Sequence, residues 1–275
     1  MSKNRYFFGK KTLITGAGSG IGRATAFELA QAGAHLILTD IKRESVEQTA
    51  LKARALGAEV ETHVVDVSDY DDMKALADKV NRAHGALDIL VNNAGVGIGG
   101  DFLSTPVEDW HWVLGINLMG VVHGCKVFAP AMVTRKSGHI VNVASAAGYF
   151  AAPDMTAYSA SKHAVMGLTE SLRAEFAAYD IGVSAICPGI INTNIVATGR
   201  MHGSTGQNQQ KLVSFYKRRN YGPEHVARAI ADAIRHNKAV VPVSPEAWAM
   251  YEAKRFTPGL MDWMARSPVM RKLRP

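Results

Sequence analysis

Short apolar runs alternate with longer amphipathic stretches along this chain. Residues 11–15, 35–40, 60–67, 89–93, 140–145, 183–187 and 239–243 are rich in β-branched side chains and bounded by Gly, Asp, Asn or Pro, so they read as strands. Between them, 20–32, 43–56, 69–84, 107–134, 156–179 and 223–236 read as helices. Ser68 followed by Asp71 has the form of a capping box opening the third helix, and Pro106 and Pro223 stand where helices should begin. The runs HLILTD and HIVNVAS are apolar without alternation, as expected of strands covered on both faces. Strand–helix alternation of this length predicts one doubly wound α/β domain, with a parallel sheet of about seven strands and helices on both faces. Ligands in such sheets bind beyond the carboxyl ends of the strands.

Composition narrows the classes. Of 275 residues, 47% are hydrophobic and 20% charged, which excludes disorder and coiled coil as the main architecture. There is no run of eighteen consecutive apolar residues, and the opening MSKNRYFFGKK lacks the apolar core of a secretory signal. Cys125 and Cys187 are too few for a disulfide framework, and a reducing, cytoplasmic setting is expected. No CxxC or HExxH spacing offers a metal cage, so no metal is expected. The net charge is +7. No nucleic-acid module accompanies it, so no nucleic-acid partner is expected.

The first candidate chemistry follows the first strand. Gly16, Gly18, Ser19, Gly20, Ile21 and Gly22 form a glycine-rich turn that opens a helix. Glycines let a backbone approach a pyrophosphate, and the helix start offers unpaired amides. The spacing is G-x-x-x-G-x-G from Gly16 rather than G-x-G-x-x-G, and no G-K-[ST] follows. Asp40 ends the second strand, where a carboxylate can accept from ribose hydroxyls and repel a 2′-phosphate. NAD is therefore expected over NADP, although Lys42 and Arg43 stand close by with the opposite charge.

Tyr-x-x-x-Lys occurs three times, as Tyr6/Lys10, Tyr70/Lys74 and Tyr158/Lys162. Only the last lies at a helix start following a strand that ends in a serine, Ser145. Residues four apart share a helix face, so Tyr158 and Lys162 can point together into a cleft.

Taken together these residues resemble the short-chain dehydrogenase/reductase family. The likeness rests on TGAGSGIG at 15–22, Asp66-Val67, Asn92-Asn93-Ala94-Gly95, Asn117, Ser145, Tyr158-x-x-x-Lys162, and Pro188-Gly189 followed by Thr193. It runs from about Lys10 to Val243 in the family order. The resemblance implies a Rossmann-like fold and hydride transfer between NAD(H) and a secondary alcohol or ketone. It gives Tyr158 the proton exchange, with Lys162 lowering its pKa and gripping the nicotinamide ribose. Ser145 would orient the carbonyl, and Asn117 would hold a water leading from Lys162 to solvent. Asp66 and Val67 would flank adenine, and Asn93, Ala94 and Gly95 would wall the ribose side. Pro188, Gly189, Ile191 and Thr193 would close over the carboxamide and pyrophosphate.

The same resemblance divides the chain into a dinucleotide-binding and catalytic domain at 1–244, with a substrate lid at 194–221, and a helical extension at 245–275. The lid carries Arg200, Lys211, Lys217, Arg218 and Arg219 without a carboxylate of its own, which suggests an anionic substrate. The extension mixes Trp248, Met250, Tyr251, Phe256, Leu260, Met261, Trp263 and Met264 with Lys254, Arg255, Arg266, Arg271, Lys272 and Arg274. Such a mixture fits packing over a substrate entrance or a second subunit, or contact with an anionic membrane. It points toward a bulky or lipid-like substrate. Small residues at 157, 160, 164, 167, 171 and 174 leave one helix face open to close approach, so a homotetramer or homodimer is expected. The alternative to an enzyme is a non-enzymatic dinucleotide-binding sensor or scaffold on the same fold.

Overall fold

A computed structural model describes residues 6–150 and 153–266. The apolar runs form strands β1 (Lys11–Thr15), β2 (His35–Asp40), β3 (Val60–Val64), β4 (Ile89–Asn92), β5 (Ile98–Gly99), β6 (Gly138–Val143), β7 (Ile181–Pro188), β8 (Arg200–Met201) and β9 (Val240–Val243). Seven of them make one parallel sheet in the order β3-β2-β1-β4-β6-β7-β9, as the strand–helix alternation predicts, while β5 and β8 pair separately. The chain winds outward from β1 to β3, returns to place β4 on the other side of β1, and winds outward again. The reversal opens a crevice at the carboxyl ends of β1 and β4.

Helices α1 (Gly20–Gln31), α2 (Arg43–Ala55), α3 (Tyr70–His84), α4 (Val107–Leu114), α5 (Gly120–Arg135), α6 (Thr156–Phe176), α7 (Gly203–Gln207), α8 (Gln209–Arg219), α9 (Pro223–His236), α10 (Pro245–Phe256) and α11 (Pro258–Arg266) complete the described chain. Side-chain alternation splits each strand between two cores. Ile14, Leu38, Val91 and Val141 join Leu29, Val46 and Ile230 on one side of the sheet. Leu13, Ile37, Leu90 and Ile140 join Leu76, Phe128 and Val165 on the other. Each such side chain contributes roughly 1.5–3 kcal/mol relative to exposure.

Several boundaries differ from expectation. β3 ends at Val64, because Asp66 turns the chain by accepting from the Ser68 amide at 2.9 Å and the Ser68 hydroxyl at 2.7 Å. Asp69, not Ser68, therefore caps α3, accepting from the amides of Asp71 and Asp72. The helix expected over 107–134 is interrupted by a π turn, Gly115–Met119. Here the buried Asn117 amide reaches across to both backbone groups of Val96. By length and composition alone, 107–135 could cross a membrane, but half of its most apolar window is buried in the fold. The segment 156–179 is α6 followed by a 3₁₀ turn, Ala177–Tyr179.

Candidate functional site

The glycine turn is shaped by its neighbours. Gly16 has φ +64°, and a Cβ there would lie 2.8 Å from the Ala94 Cα. A Cβ on Gly22 would lie 2.3 Å from the Gly16 carbonyl oxygen. Asn93 donates through its side chain to the carbonyls of Thr15 (2.8 Å) and Gly16 (3.2 Å). Thr15 Oγ1 in turn accepts from the amides of Asn93 and Ala94, both at 3.0 Å. The loop after β4 thus buttresses the turn after β1. Ser19 is the exposed N-cap of α1 and makes no side-chain cap bond, while Ile21 packs on the core. Thr193 approaches Gly20 from the segment after β7, where a Cβ on Gly20 would meet its Cγ2 at 3.4 Å.

Asp40 Oδ2 accepts from the Gly18 amide at 2.9 Å, and Oδ1 from the Lys42 amide at 2.9 Å. The carboxylate therefore sits against the glycine turn, while Lys42 and Arg43 are exposed. Arg23 joins this corner by donating to the Gly18 carbonyl and to Thr49 Oγ1. Asp66 and Val67 follow β3, which is parallel to β2, and so lie at the same end of the sheet as Asp40. Val67 is buried and its carbonyl oxygen lies 2.9 Å from His123 Nδ1. Ile191 is core, and Gly189 lies so close to Ser244 and Glu246 that a Cβ would meet them at 2.4 and 2.5 Å.

The second cluster lies beyond β6 and β7. Ser145 follows β6, caps the 3₁₀ turn Ala146–Gly148 by accepting from the Ala147 amide, and donates to the Pro188 carbonyl. Lys162 is buried, and its Nζ donates to the Val143 carbonyl at 2.9 Å. That ammonium lies 5.9 Å from the centre of the Tyr158 ring. A Cβ on Gly95 would lie 3.2 Å from Asn117 Oδ1 and 3.6 Å from Lys162 Nζ, so Asn117 joins Lys162 and Tyr158 here, and Ser145 is hydrogen-bonded to Tyr158. The Tyr6 and Tyr70 pairs lie elsewhere: Tyr6 packs on Phe7, and Tyr70 on His123.

Burial pushes the Tyr158 phenol up to about 12, against a hydrogen bond with Ser145 that pulls the other way. Burial also brings Lys162 down to about 8. The expected lowering of Tyr158 by Lys162 is therefore not what the protein's own groups produce. Both groups are shifted toward their neutral forms, because burial disfavours the charged form of each.

Three features escaped the sequence. Tyr216 of α8 lies near enough to Tyr158 to push its phenol higher. Arg219 and Arg200, expected as free lid cations, are matched by carboxylates from distant segments: Glu246 for one and Asp109 for the other. Arg200 also lies 4.0 Å over the Trp112 ring. Only contacts between segments far apart in the chain could reveal these pairs. In the extension, Met250 and Tyr251 pack on the core, while Trp248, Phe256 and Trp263 remain exposed. Arg271, Lys272 and Arg274 lie outside the described residues.

A family model described as short chain dehydrogenase matches residues 10–202. The chain belongs to the short-chain dehydrogenase family. Among proteins of this kind, it is 42% identical to "Probable oxidoreductase EphD" of Mycobacterium tuberculosis, over 98% of this chain and 47% of that protein. The chain thus spans about half the length of these first curated relatives. It is 42% identical over 191 residues to "Estradiol 17-beta-dehydrogenase 11" of Pongo abelii, covering 68% of this chain and 64% of that one. A short-chain dehydrogenase from Burkholderia phymatum, solved in complex with NAD, superposes with a TM-score of 0.86 at 36% identity, over 92% of this chain and 95% of that one. The seven-stranded sheet is thus the Rossmann-like sheet of a short-chain dehydrogenase.

Proposed function

We propose that this chain transfers a hydride between NAD(H) and a secondary alcohol or its ketone, with Tyr158 as general acid–base. The observation that carries this is the meeting of Tyr158, Lys162, Ser145 and Asn117 at the carboxyl ends of the strands, beside a turn with no room for a Cβ at Gly16, Gly18 or Gly22. That turn suits a dinucleotide, because a pyrophosphate needs close backbone approach and a helix start. The backbone at Gly16, Ser19, Gly20, Ile21 and Gly22 would hold it, with Thr193 alongside. Asp40 would take the ribose hydroxyls and disfavour a 2′-phosphate. Asp66 and Val67 would border adenine, and Asn93, Ala94 and Gly95 the ribose. Pro188, Gly189 and Ile191 would wall the carboxamide.

When bound, the nicotinamide ring gives or takes the hydride, and in its oxidised state its positive charge favours phenolate. Ser145 would hold the substrate oxygen, and Tyr158 would exchange its proton. Lys162, fixed on the Val143 carbonyl, would stabilise phenolate as the proton leaves. Asn117 would place the water that returns the proton to solvent.

The relative named for estradiol and the exposed aromatics beside the lid favour a bulky or lipid-like substrate. The domain at 1–244, its lid at 194–221 and the extension from 245 are read as one catalytic unit. Ala160, Gly167, Ser171 and Ala174 are exposed along α6, which favours a homotetramer or homodimer.

The test follows nicotinamide absorbance with secondary alcohols and ketones of graded size, using NAD and NADP side by side. Tyr158→Phe should abolish turnover while cofactor still binds. A wild-type chain that binds cofactor yet turns over no alcohol or ketone would instead support the sensor reading.

A further inference from the structure

Away from the glycine turn, three histidines converge on one carboxylate. His35 begins β2, Glu61 and His63 lie on β3, and His84 ends α3. Ile37 pairs with Glu61 and Thr39 with His63, so alternation puts His35, Glu61 and His63 on one sheet face. Glu61 carboxylate oxygens lie 2.7 Å from His84 Nε2, 3.8 Å from His35 Nε2 and 3.7 Å from His63 Nε2. All three Nε2 atoms are buried, and none makes a well-directed hydrogen bond, even at 2.7 Å. Atoms that are close but misaligned are poorly explained as hydrogen-bond partners, and well explained as ligands facing a common centre.

We propose that His35, Glu61 and His84 form a binding site for a divalent transition metal of the zinc class. One ligand atom from each lies within 4.8 Å of the others. Tetrahedral zinc with bonds near 2.1 Å needs ligand atoms about 3.4 Å apart, so His84 and Glu61 would part slightly and His35 would approach, which small side-chain rotations at this half-buried rim can supply. Two imidazoles and a carboxylate suit a borderline-soft ion rather than calcium or magnesium.

A second observation supports the site. His35 Nδ1 lies 3.3 Å from the Glu59 carboxylate. A carboxylate there favours the tautomer with the proton on Nδ1, which would leave Nε2 to bind, and it would serve as the outer-sphere partner of a ligating histidine. Water would fill the fourth position, with His63 alongside. The cations nearby are Lys79, which faces His63, and Lys11, whose Nζ donates to the His84 carbonyl. The ion would tie β2, β3 and α3 together below the segments carrying Asp40 and Asp66. It would therefore stabilise the amino-terminal edge of the sheet without entering the reaction.

The experiment uses the full chain, tag removed and stripped with chelator, titrated with zinc chloride in a calorimeter and with cobalt chloride in a spectrophotometer. The expected result is one ion per chain, the intense visible bands of four-coordinate cobalt, and a rise in melting temperature that chelator reverses. Glu61→Gln and the pair His35→Asn/His84→Asn should abolish the bands, and Glu59→Gln should weaken affinity roughly tenfold. His225→Gln, at a partly exposed position on α9 away from the site, should change nothing. Circular dichroism in metal-free buffer separates loss of ligands from loss of fold, and Glu61→Gln is close enough in shape to stay folded. No stoichiometric binding by the parent chain, or binding undiminished in the folded variants, overturns the proposal.

Discussion

Arg219, at the end of α8, is ion-paired with Glu246, near the start of α10. Glu246 also accepts from the Ile190 amide at 3.0 Å, and Arg219 Nε donates to the Ile190 carbonyl at 3.2 Å. Burial pushes the Glu246 carboxyl up, but hydrogen bonds from the Ile190 amide, the Ser244 hydroxyl and its own amide, with the Arg219 guanidinium, together hold it below the usual range. The segment after β7, where substrate and nicotinamide are expected, is thus clasped from two sides.

Glu246→Gln should loosen that clasp. We expect KM to rise about tenfold, equivalent to about 1.4 kcal/mol, with kcat little changed. Arg218→Ala, at an exposed position on the same helix, should leave both constants unmoved. Steady-state kinetics on the two variants decides it. An unchanged KM in Glu246→Gln, or an equal rise in Arg218→Ala, would show that the clasp does not set substrate binding.

Gly22→Ala places a methyl group 2.3 Å from the Gly16 carbonyl. The turn must shift, at roughly 1–3 kcal/mol of overpacking cost. Cofactor affinity, measured by fluorescence titration, should fall at least tenfold while far-ultraviolet circular dichroism is retained. Unchanged affinity would show that the turn does not hold the dinucleotide.

Asp40→Ala removes the acceptor for the Gly18 amide and the group expected to meet the ribose. Charge-assisted hydrogen bonds of this kind are worth about 1.5–3 kcal/mol. NAD should bind at least tenfold more weakly, and the preference over NADP should shrink or reverse. Dissociation constants for both dinucleotides test this, and an unchanged ratio counts against the assigned role.

His139 is buried beside Ser184, and burial lowers its pKa to about 4, with Arg173 adding to the effect. Its folded value lies below its unfolded value of about 6.5, so the unfolded chain takes up the proton first as pH falls. Stability is therefore fully present above that value and is lost toward pH 4, by up to about 3 kcal/mol. Urea unfolding at several pH values should show this slope, and His139→Asn should flatten it. An identical slope in both proteins would assign the acid limb to other groups.

Much of the site was legible because it is written locally. Tyr158 and Lys162 share a helix face by spacing, and Gly16 to Gly22 follow a strand and open a helix. Boundaries were less legible where a side chain redirects the backbone. Asp66 ends β3 early by capturing Ser68, and Asn117 reaches to Val96 from within a π turn. Local apolar patterning carries no trace of either bond. Several residues expected against the cofactor also spend their side chains elsewhere: Asn93 on the glycine turn, Val67 and Ile191 in packing.

The order of residue types alone determined the parallel sheet, the glycine turn and the Tyr–Lys pair, because periodicity and short spacings act through neighbours on one element. Only the tertiary structure decided which carboxylates answer Arg200 and Arg219, which direction burial drives Tyr158, and that His35, Glu61 and His84 meet. Desolvation and charge pairing depend on what packs around a group in space, and those partners come from strands and helices far apart along the chain.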